Sequence, residues 1–254
     1  MREMLINVQG LTKTFPNGVR ALDGVSLTVA AGEHLGVVGE SGCGKTTLAR
    51  VVMGLVQADA GTVAFEGKTL GDMCSRRSVF CQKVRMVFQD PFSSLDPRYS
   101  VRMILSEALH LEPRRSVGED LTRMRKTLGF VQLPADILAR YPHEFSGGER
   151  QRIAIARALM TSPKVLILDE AVSSLDVLVQ RDILLMLEEL SQRMDVTYVF
   201  ISHNLRVVRR LAHQVAVMQE GRVVEQADCD TLFKAAVHPY TQGLLQAAFN
   251  YEVL

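Results

Sequence analysis

The feature that most constrains the fold of this chain is a glycine-rich stretch of eight residues at positions 39–46. It reads Gly-Glu-Ser-Gly-Cys-Gly-Lys-Thr and fits the pattern G-x-x-x-x-G-K-[ST]. An apolar run, Leu35–Val38, precedes it, and a run with helical spacing begins at Thr47. Glycines let the backbone approach phosphate groups closely, and the first N–H groups of a helix point at a bound anion. The stretch therefore predicts a phosphate-binding loop between a buried strand and a helix.

This loop predicts specific contacts with a nucleotide. Lys45 is expected to reach the β- and γ-phosphates, and the Thr46 hydroxyl is expected to bind Mg²⁺. The predicted nucleotide-binding residues of this segment are Gly39, Glu40, Ser41, Gly42, Cys43, Gly44, Lys45, Thr46 and Thr47. An ordinary glycine-rich turn is the alternative, and the complete pattern between strand and helix argues against it.

Two adjacent carboxylates follow another apolar run. Asp169 and Glu170 come directly after Val165–Leu168, at the C-terminal end of a predicted buried strand. Because Mg²⁺ keeps several of its waters, Asp169 is expected to hold the ion through its water shell. Glu170 is expected to polarise the water that attacks the γ-phosphate. A solvated helix cap would explain the pair in isolation, but the phosphate loop favours the catalytic interpretation.

Short apolar runs alternate with helical patterns along the chain, which is typical of a mainly parallel sheet covered by helices. The predicted strands are Leu5–Val8, Ser26–Val29, Leu35–Val38, Val165–Leu168 and Tyr198–Ile201. Between Pro91 and about Arg140 helical spacing replaces the strand-like runs, which predicts an inserted helical subdomain. After Val224 the chain is expected to be partly helical, with an interruption at His238 and Pro239.

Composition argues against several classes of partner and site. The chain has 29 basic and 28 acidic residues, so no long-range field would attract nucleic acid. No stretch is apolar enough to cross a bilayer, and no secretory leader is visible, so we expect a cytoplasmic location. The cysteines lack metal-site spacing and are predicted to be free thiols, although the sequence leaves a pairing of Cys74 with Cys81 open.

The stretch Phe145–Arg152 indicates which family of phosphate-loop proteins the chain resembles. It reads Phe-Ser-Gly-Gly-Glu-Arg-Gln-Arg and resembles the signature sequence of ABC-type ATPases. That signature usually has leucine at the position of Phe145 and often glutamine at the position of Glu149. The serine and the two glycines are intact as Ser146, Gly147 and Gly148. At the start of a helix they would present a hydroxyl, bare N–H groups and a positive dipole end to an anion. A plain N-cap is the alternative.

Four further residues match the ABC family in its order along the chain. Gln89 stands at the Q-loop position, and Asp176 ends a Ser-Leu-Asp stretch that resembles the D-loop. His203 resembles the switch histidine, and Phe15 matches the aromatic residue that stacks on adenine. The resemblance covers nearly the whole chain and implies that ATP and Mg²⁺ are the cofactors. It also implies that Glu170, Gln89 and His203 are catalytic, that the three signature residues and Asp176 contact nucleotide, and that Gln89 joins Thr46 and Asp169 at Mg²⁺.

The resemblance also implies a fold and a domain organisation. The expected fold is an α/β P-loop NTPase core of ABC type with an antiparallel β subdomain and an inserted α-helical subdomain. Residues 1–88 would form the ATP-binding core with the β subdomain, and residues 89–150 the helical subdomain with the Q-loop and signature. Residues 151–225 would complete the core, and residues 226–254 would form a short C-terminal tail.

In ABC ATPases the signature helix faces the phosphate loop of the opposite subunit, and two ATP molecules lie between the subunits. ATP carries about four negative charges, which need donors on both sides. Our hypothesis is that hydrolysis requires a dimer in which Ser146 and Gly148 act on the partner's γ-phosphate. The resemblance further implies separate transmembrane permease subunits, a peripheral place on the cytoplasmic face of the cell membrane, and an indirect extracytoplasmic solute-binding partner.

Two segments resemble the oligopeptide, dipeptide and nickel importer family. They are residues 87–98 and the His-Pro-Tyr-Thr stretch at residues 238–241. Because that family usually pairs two different ATPases, a homologous second subunit is expected, with a second copy of this chain as the alternative. The chain ends soon after the second segment, without the cysteine-bearing extension of many peptide-type members. Together with residues 169–173, this slightly favours nickel or a metal chelate over small peptides as cargo.

Two other classes of function are weaker interpretations. Non-transport ABC ATPases of nucleic-acid repair or regulation carry long coiled-coil or zinc insertions, which this chain lacks. A P-loop kinase would not explain the serine and two glycines of the signature. The sequence therefore predicts an ATP-hydrolysing subunit that energises an importer.

Overall fold

The computed structural model describes residues 3–71, 77–90, 94–110, 116–173 and 175–249. These residues contain ten strands, nine α-helices and two short 3₁₀ helices, Ala135–Ala139 and Pro142–Glu144. The strands are β1 (Met4–Thr14), β2 (Arg20–Ala30), β3 (Leu35–Val38), β4 (Ala60–Phe65), β5 (Lys68–Thr69), β6 (Val84–Val87), β7 (Val165–Asp169), β8 (Thr197–Ser202), β9 (Gln214–Gln219) and β10 (Arg222–Asp228). The helices are α1 (Lys45–Val52), α2 (Arg77–Lys83), α3 (Val101–Leu109), α4 (Val117–Phe130), α5 (Gly147–Leu159), α6 (Val177–Met194), α7 (Leu205–Leu211), α8 (Cys229–Ala235) and α9 (Pro239–Phe249). Cys74, and with it the question of a pairing with Cys81, lies outside the described residues.

The chain divides into two compact units, Met1–Arg76 with Thr197–Leu254 as unit 1, and Arg77–Val196 as unit 2. Unit 1 contains a four-stranded antiparallel sheet in the order β2-β1-β4-β5. Along β2, the buried residues Leu22, Val25, Leu27 and Val29 are separated by polar or exposed positions. One face of this sheet therefore packs into a core, as expected for an antiparallel subdomain.

Unit 1 also contains parallel strands around β3. This strand pairs in parallel with β8 on one side and β9 on the other, and β10 pairs antiparallel with β9. All four residues of β3 are buried, in agreement with the apolar run in the sequence. Helix α7 lies so close to β3 that a side chain at Gly36 would clash with it. A Cβ at this position would be 2.2 Å from Val208 Cγ1. The strand is thus held on both edges immediately before the glycine-rich loop.

A buried histidine stabilises the start of β3. His34 Nδ1 accepts a hydrogen bond from the backbone N–H of Tyr198 at 3.2 Å, and the backbone N–H of His34 donates to His213 Nδ1 at 3.0 Å. Burial, with a smaller contribution from the charge of His213, lowers the pKa of His34 to about 4. The imidazole is therefore neutral near pH 7 and can accept the bond that joins the start of β3 to β8.

Unit 2 combines one pair of parallel strands with most of the helices. β6 and β7 pair in parallel, with Val87 opposite Leu168, and every residue of β7 is buried. In the described part of residues 91–140 there are helices and no strands, as the sequence predicted. Helices α3 and α4 begin at the serine caps Ser100 and Ser116. Among the described residues, no helix is long and apolar enough to traverse a bilayer.

Candidate functional site

The glycine-rich loop joins β3 to α1 in unit 1 and follows a path that side chains would obstruct. Gly39 has φ +149°, and a Cβ there would be 2.2 Å from the carbonyl oxygen of Met218. Gly44 has φ +108°, and its Cβ would be 2.3 Å from the carbonyl oxygen of Ala21. Both contacts are with backbone atoms, so a larger residue could enter only by moving a strand. Glycine is therefore required at both positions.

The loop ends at the N-terminus of α1, where Gly44 is the N-cap and offers no side-chain acceptor. The first N–H groups of a helix have no partner within the helix, and together they form an anion-binding position. Thr46 and Thr47 lie in this first turn and are half-buried. The loop therefore lies between a buried strand and the N-terminus of a helix, as the sequence predicted.

Lys45 is the first residue of α1, and its side chain is folded into the loop. The residue is only 5% exposed, and Nζ donates hydrogen bonds to the carbonyl oxygens of Gly39 at 2.8 Å and Glu40 at 2.7 Å. Both acceptors belong to the loop itself. A full positive charge therefore lies where phosphate groups would be enclosed.

His203 lies at the same sheet edge as the loop. Because Val38 pairs with Ser202, the loop after β3 and the histidine after β8 leave adjacent strands at their carboxyl ends. Ligands bind at this edge in open α/β sheets. Phe15 follows β1 and is half-buried, with Lys13 Nζ 5.9 Å from the centroid of its ring.

In unit 2, Asp169 is the last residue of strand β7 and Glu170 follows it, at the C-terminal end of the strand as the sequence predicted. Asp169 is 3% exposed. Glu170 has φ +47°, a left-handed conformation that is unusual for a residue with a side chain. Its carbonyl oxygen accepts hydrogen bonds from the backbone N–H and the hydroxyl of Ser173, at 3.1 and 2.8 Å. These bonds stabilise the turn that places the Glu170 carboxylate at the end of the strand.

Gln89 contacts this carboxylate directly. Its Nε2 donates a hydrogen bond to Glu170 Oε2 at 2.8 Å. The contact follows from strand register, because Val87 lies opposite Leu168 and each side chain is two residues beyond its member of that pair. The structure therefore brings together two of the three residues expected to be catalytic.

The signature residues form the start of α5. Ser146 is the N-cap: its hydroxyl oxygen accepts from the backbone N–H of Glu149 at 3.3 Å, and Glu149 Oε2 accepts from the backbone N–H of Ser146 at 2.9 Å. These two bonds make a capping box. The pKa of Glu149 is lowered chiefly by the hydrogen bond from that backbone N–H. The glutamate found here, where the family often has glutamine, thus has a structural role.

Gly148 allows close packing of α5 on α6. A Cβ at this position would be 2.4 Å from Val179 Cγ1. Asp176 is the N-cap of α6, and its Oδ1 accepts from the backbone N–H of Val179 at 3.0 Å. Ser174, the serine of the predicted D-loop, lies outside the described residues.

Replacing Ser146 by alanine should lower stability, because the capping box loses its hydroxyl. We expect a loss of about 1 kcal/mol and a fall in the midpoint of thermal unfolding of about 2–4 °C for a chain of this size. Ser106→Ala is the matched control, since the Ser106 hydroxyl donates to Met103 O within α3 and caps no helix. Equal midpoints for the two variants in differential scanning calorimetry would contradict the capping role.

Sequence reasoning missed one residue at the phosphate loop. The hydroxyl of Tyr240 accepts a hydrogen bond from the backbone N–H of Glu40 at 3.1 Å, across 200 positions of sequence. The His-Pro-Tyr-Thr stretch was the available signal, but its pattern does not indicate what the tyrosine touches.

Comparison with known proteins identifies the family of the chain. Residues 22–173 match the family model described as ABC transporter. A protein of Brucella ovis named for peptide import and ATP binding is 44% identical over 96% of this chain and 78% of its own length. The oligopeptide transport ATP-binding protein OppF of Bacillus subtilis is 41% identical over 97% of this chain and 83% of its own.

Solved structures show the same fold. The cbiO1 protein of Clostridium perfringens, part of an ABC transporter complex, has a TM-score of 0.83 and 25% identity, over 99% of this chain and 96% of that one. An ATP-binding cassette solved as a dimer with ADP and phosphate has a TM-score of 0.79 and 24% identity, over 89% of this chain and 99% of that one. The resemblance to ABC ATPases and the predicted fold class are therefore confirmed. The chain belongs to the ABC transporter family and is an ATP-binding, ATP-hydrolysing cassette of that family.

Proposed function

We propose that this chain is the ATPase subunit of a peptide importer, peripheral to the cytoplasmic face of the membrane and bound there to transmembrane permease subunits. The observation that carries the proposal is the similarity of nearly the whole chain, at 41–44% identity, to proteins named for peptide or oligopeptide import. The nickel cargo that the sequence slightly favoured finds no support in these names. The four-segment division of the chain, with boundaries at residues 88, 150 and 225, also stays a proposal.

The loop geometry supports the proposed binding of the ATP phosphates at residues 39–47. The backbone follows a path that only glycine allows at two positions, and the loop leads directly into the N-terminus of α1. Lys45 would exchange its loop carbonyls for phosphate oxygens. Phe15 would stack on the adenine ring. The Lys13 ammonium near this ring is paired with Asp59 at 2.8 Å.

The available donors fit Mg²⁺ by their chemistry. This ion prefers oxygen ligands and keeps waters alongside one or two protein groups and the substrate phosphates. The Thr46 hydroxyl, the Gln89 amide oxygen and the Asp169 carboxylate are all oxygen donors of this kind, and we propose that they hold the ion. When bound, Mg²⁺ would neutralise charge on the phosphates.

Glu170 is proposed to orient and polarise the attacking water. Its backbone is fixed in a left-handed turn, and its carboxylate is aimed by the hydrogen bond from Gln89. A carboxylate held in this way needs little reorganisation when it accepts a proton from water. His203, at the end of β8, is proposed to contact the γ-phosphate.

Another ATPase subunit is proposed to supply the contacts to the second side of the nucleotide. Ser146 and Gly148 present a hydroxyl and backbone N–H groups at the start of α5, and Asp176 lies at the start of α6. We propose a homologous subunit as the partner, with a second copy of this chain as the alternative arrangement. An extracytoplasmic solute-binding protein would deliver the cargo.

The test is hydrolysis by the assembled transporter. The chain would be co-expressed with its permeases and second ATPase, reconstituted in nanodiscs, and supplied with a solute-binding protein loaded with peptides or with nickel. We expect peptide loading to stimulate phosphate release and nickel loading not to do so. Stimulation by nickel alone would refute the peptide cargo. Failure to co-purify with membrane proteins, combined with stimulation by DNA, would favour the nucleic-acid repair function instead.

A further inference from the structure

A C-terminal segment of the chain touches the phosphate loop. Tyr240 lies in the first turn of α9, and its hydroxyl oxygen is 3.1 Å from the backbone nitrogen of Glu40, the second residue of the loop. A backbone N–H can only donate, so the phenol oxygen is the acceptor. Partial burial raises the pKa of Tyr240 above its ordinary value, so the hydroxyl is neutral at physiological pH.

Tyr240 is anchored to the sheet that carries the loop. Glu225 of β10 accepts hydrogen bonds from the backbone N–H groups of Val237 at 2.8 Å and His238 at 3.0 Å. His238 Nδ1 accepts in turn from the backbone N–H of Tyr240 at 3.2 Å. Since β10 pairs with β9 and β9 with β3, the anchor and the loop are parts of one unit.

The backbone carbonyl and the backbone N–H of Glu40 have different hydrogen-bond partners. Its carbonyl oxygen accepts from Lys45 Nζ at 2.7 Å and from the backbone N–H of Cys43 at 3.3 Å, whereas its N–H donates to Tyr240. In our proposal Lys45 exchanges these loop carbonyls for phosphate oxygens. The bond to Tyr240 does not involve Lys45 and can persist through that change. It therefore holds the start of the loop while the lysine exchanges partners.

We propose that Tyr240 is a positioning residue for the phosphate loop. Through the contact of Tyr240 with the loop, the segment 237–242 raises the affinity for ATP. A loop held in its binding conformation loses less conformational entropy when ligand binds. The inference rests on the proposed binding of ATP phosphates by residues 39–47. It assigns a role to the His-Pro-Tyr-Thr stretch within the ATPase itself.

The first test is Tyr240→Phe, which removes the hydroxyl and keeps the ring. We expect the Kd for ATP, titrated by calorimetry in EDTA to prevent hydrolysis, to rise about two- to tenfold, the range for one hydrogen bond. In the assembled transporter the KM for ATP should rise similarly, while kcat changes less than about twofold. The unfolding midpoint without nucleotide should stay close to that of the unaltered chain. Tyr99→Phe, which removes a hydroxyl from unit 2, is the matched control.

The second test asks whether the anchor acts through Tyr240. Glu225→Gln keeps one acceptor oxygen and replaces the other with an amide that cannot accept from an N–H group. We expect a smaller rise in the Kd for ATP than Tyr240→Phe produces, and no further rise when the two changes are combined, because residues of one network are not additive. A fully additive rise would refute the proposed path from Glu225 to the loop.

The outcomes separate this inference from the proposed function. If the unaltered chain binds ATP and Tyr240→Phe binds it equally well, the role of Tyr240 is wrong and ATP binding stands. A lower unfolding midpoint with unchanged Kd would likewise refute positioning and leave a structural role. If Lys45→Ala also leaves the Kd unchanged, ATP does not bind at this loop, and both proposals fail.

Discussion

Replacing Lys45 by alanine is expected to weaken ATP binding by about ten- to a hundredfold, the range for a lost hydrogen bond to a charged group. The ammonium lies inside the loop and already donates to two of its carbonyl oxygens, at 2.8 and 2.7 Å. Phosphate oxygens would replace those carbonyls as acceptors, and the phosphate groups carry negative charge that the carbonyls lack. The variant loses this charge-assisted contact, while the loop backbone shaped by its glycines and the N-terminus of α1 remain. Calorimetric titration of the purified chain with ATP in EDTA measures the effect.

Lys68→Ala is the matched control for this measurement. Lys68 lies on β5 and is exposed, so its removal should leave the affinity for ATP unchanged. A circular dichroism spectrum and an unfolding midpoint close to those of the unaltered chain would establish that Lys45→Ala still folds. If such a folded variant bound ATP as tightly as the unaltered chain, the assignment of the phosphate loop would be wrong.

The strands that the sequence predicted have clear apolar patterns, but β9, which also has a buried apolar run at residues 215–218, was not predicted. Strands β3, β7 and β8 are continuous apolar runs because they are buried along their whole length. By contrast, β10 (Arg222–Asp228) contains no fully buried residue, and the first three residues of β4 (Ala60–Phe65) are exposed. Neither alternates between buried and exposed positions, so their backbone pairing with β9 and β1 determines them. Pairing partners distant in sequence are not encoded in a local pattern.

The candidate site likewise has a part that the sequence predicted and a part that it did not. The phosphate loop was predictable because its glycines, lysine and threonine are consecutive and act on one ligand. The contact of Gln89 with Glu170 depends on the register of β6 against β7, which residue spacing does not give. The ABC resemblance named both residues without showing that they meet. The contact of Tyr240 with Glu40 was not expected at all, since a hydroxyl far along the chain approaches the loop only after the sheet has formed.

Replacing Glu170 by glutamine is expected to lower ATP turnover at least a hundredfold and to change the affinity for ATP less than about threefold, since a group that activates water contributes about 10²–10⁴-fold. Glutamine has nearly the same shape, so the turn closed by Ser173 should persist, and an amide oxygen can still accept from Gln89. What is lost is the negative charge that accepts a proton from the attacking water. Phosphate release by the assembled transporter measures turnover, and titration in EDTA measures affinity.

Two further variants separate this role from a general effect of charge. Glu189→Gln removes an exposed carboxylate on α6 that pairs with Arg193 at 3.8 Å, and it should leave turnover unchanged. Gln89→Ala keeps the Glu170 carboxylate but removes both the donor that aims it and one of the proposed Mg²⁺ ligands, so turnover should fall in this variant too. If Glu170→Gln kept more than a tenth of the turnover, this carboxylate would not be the group that activates water.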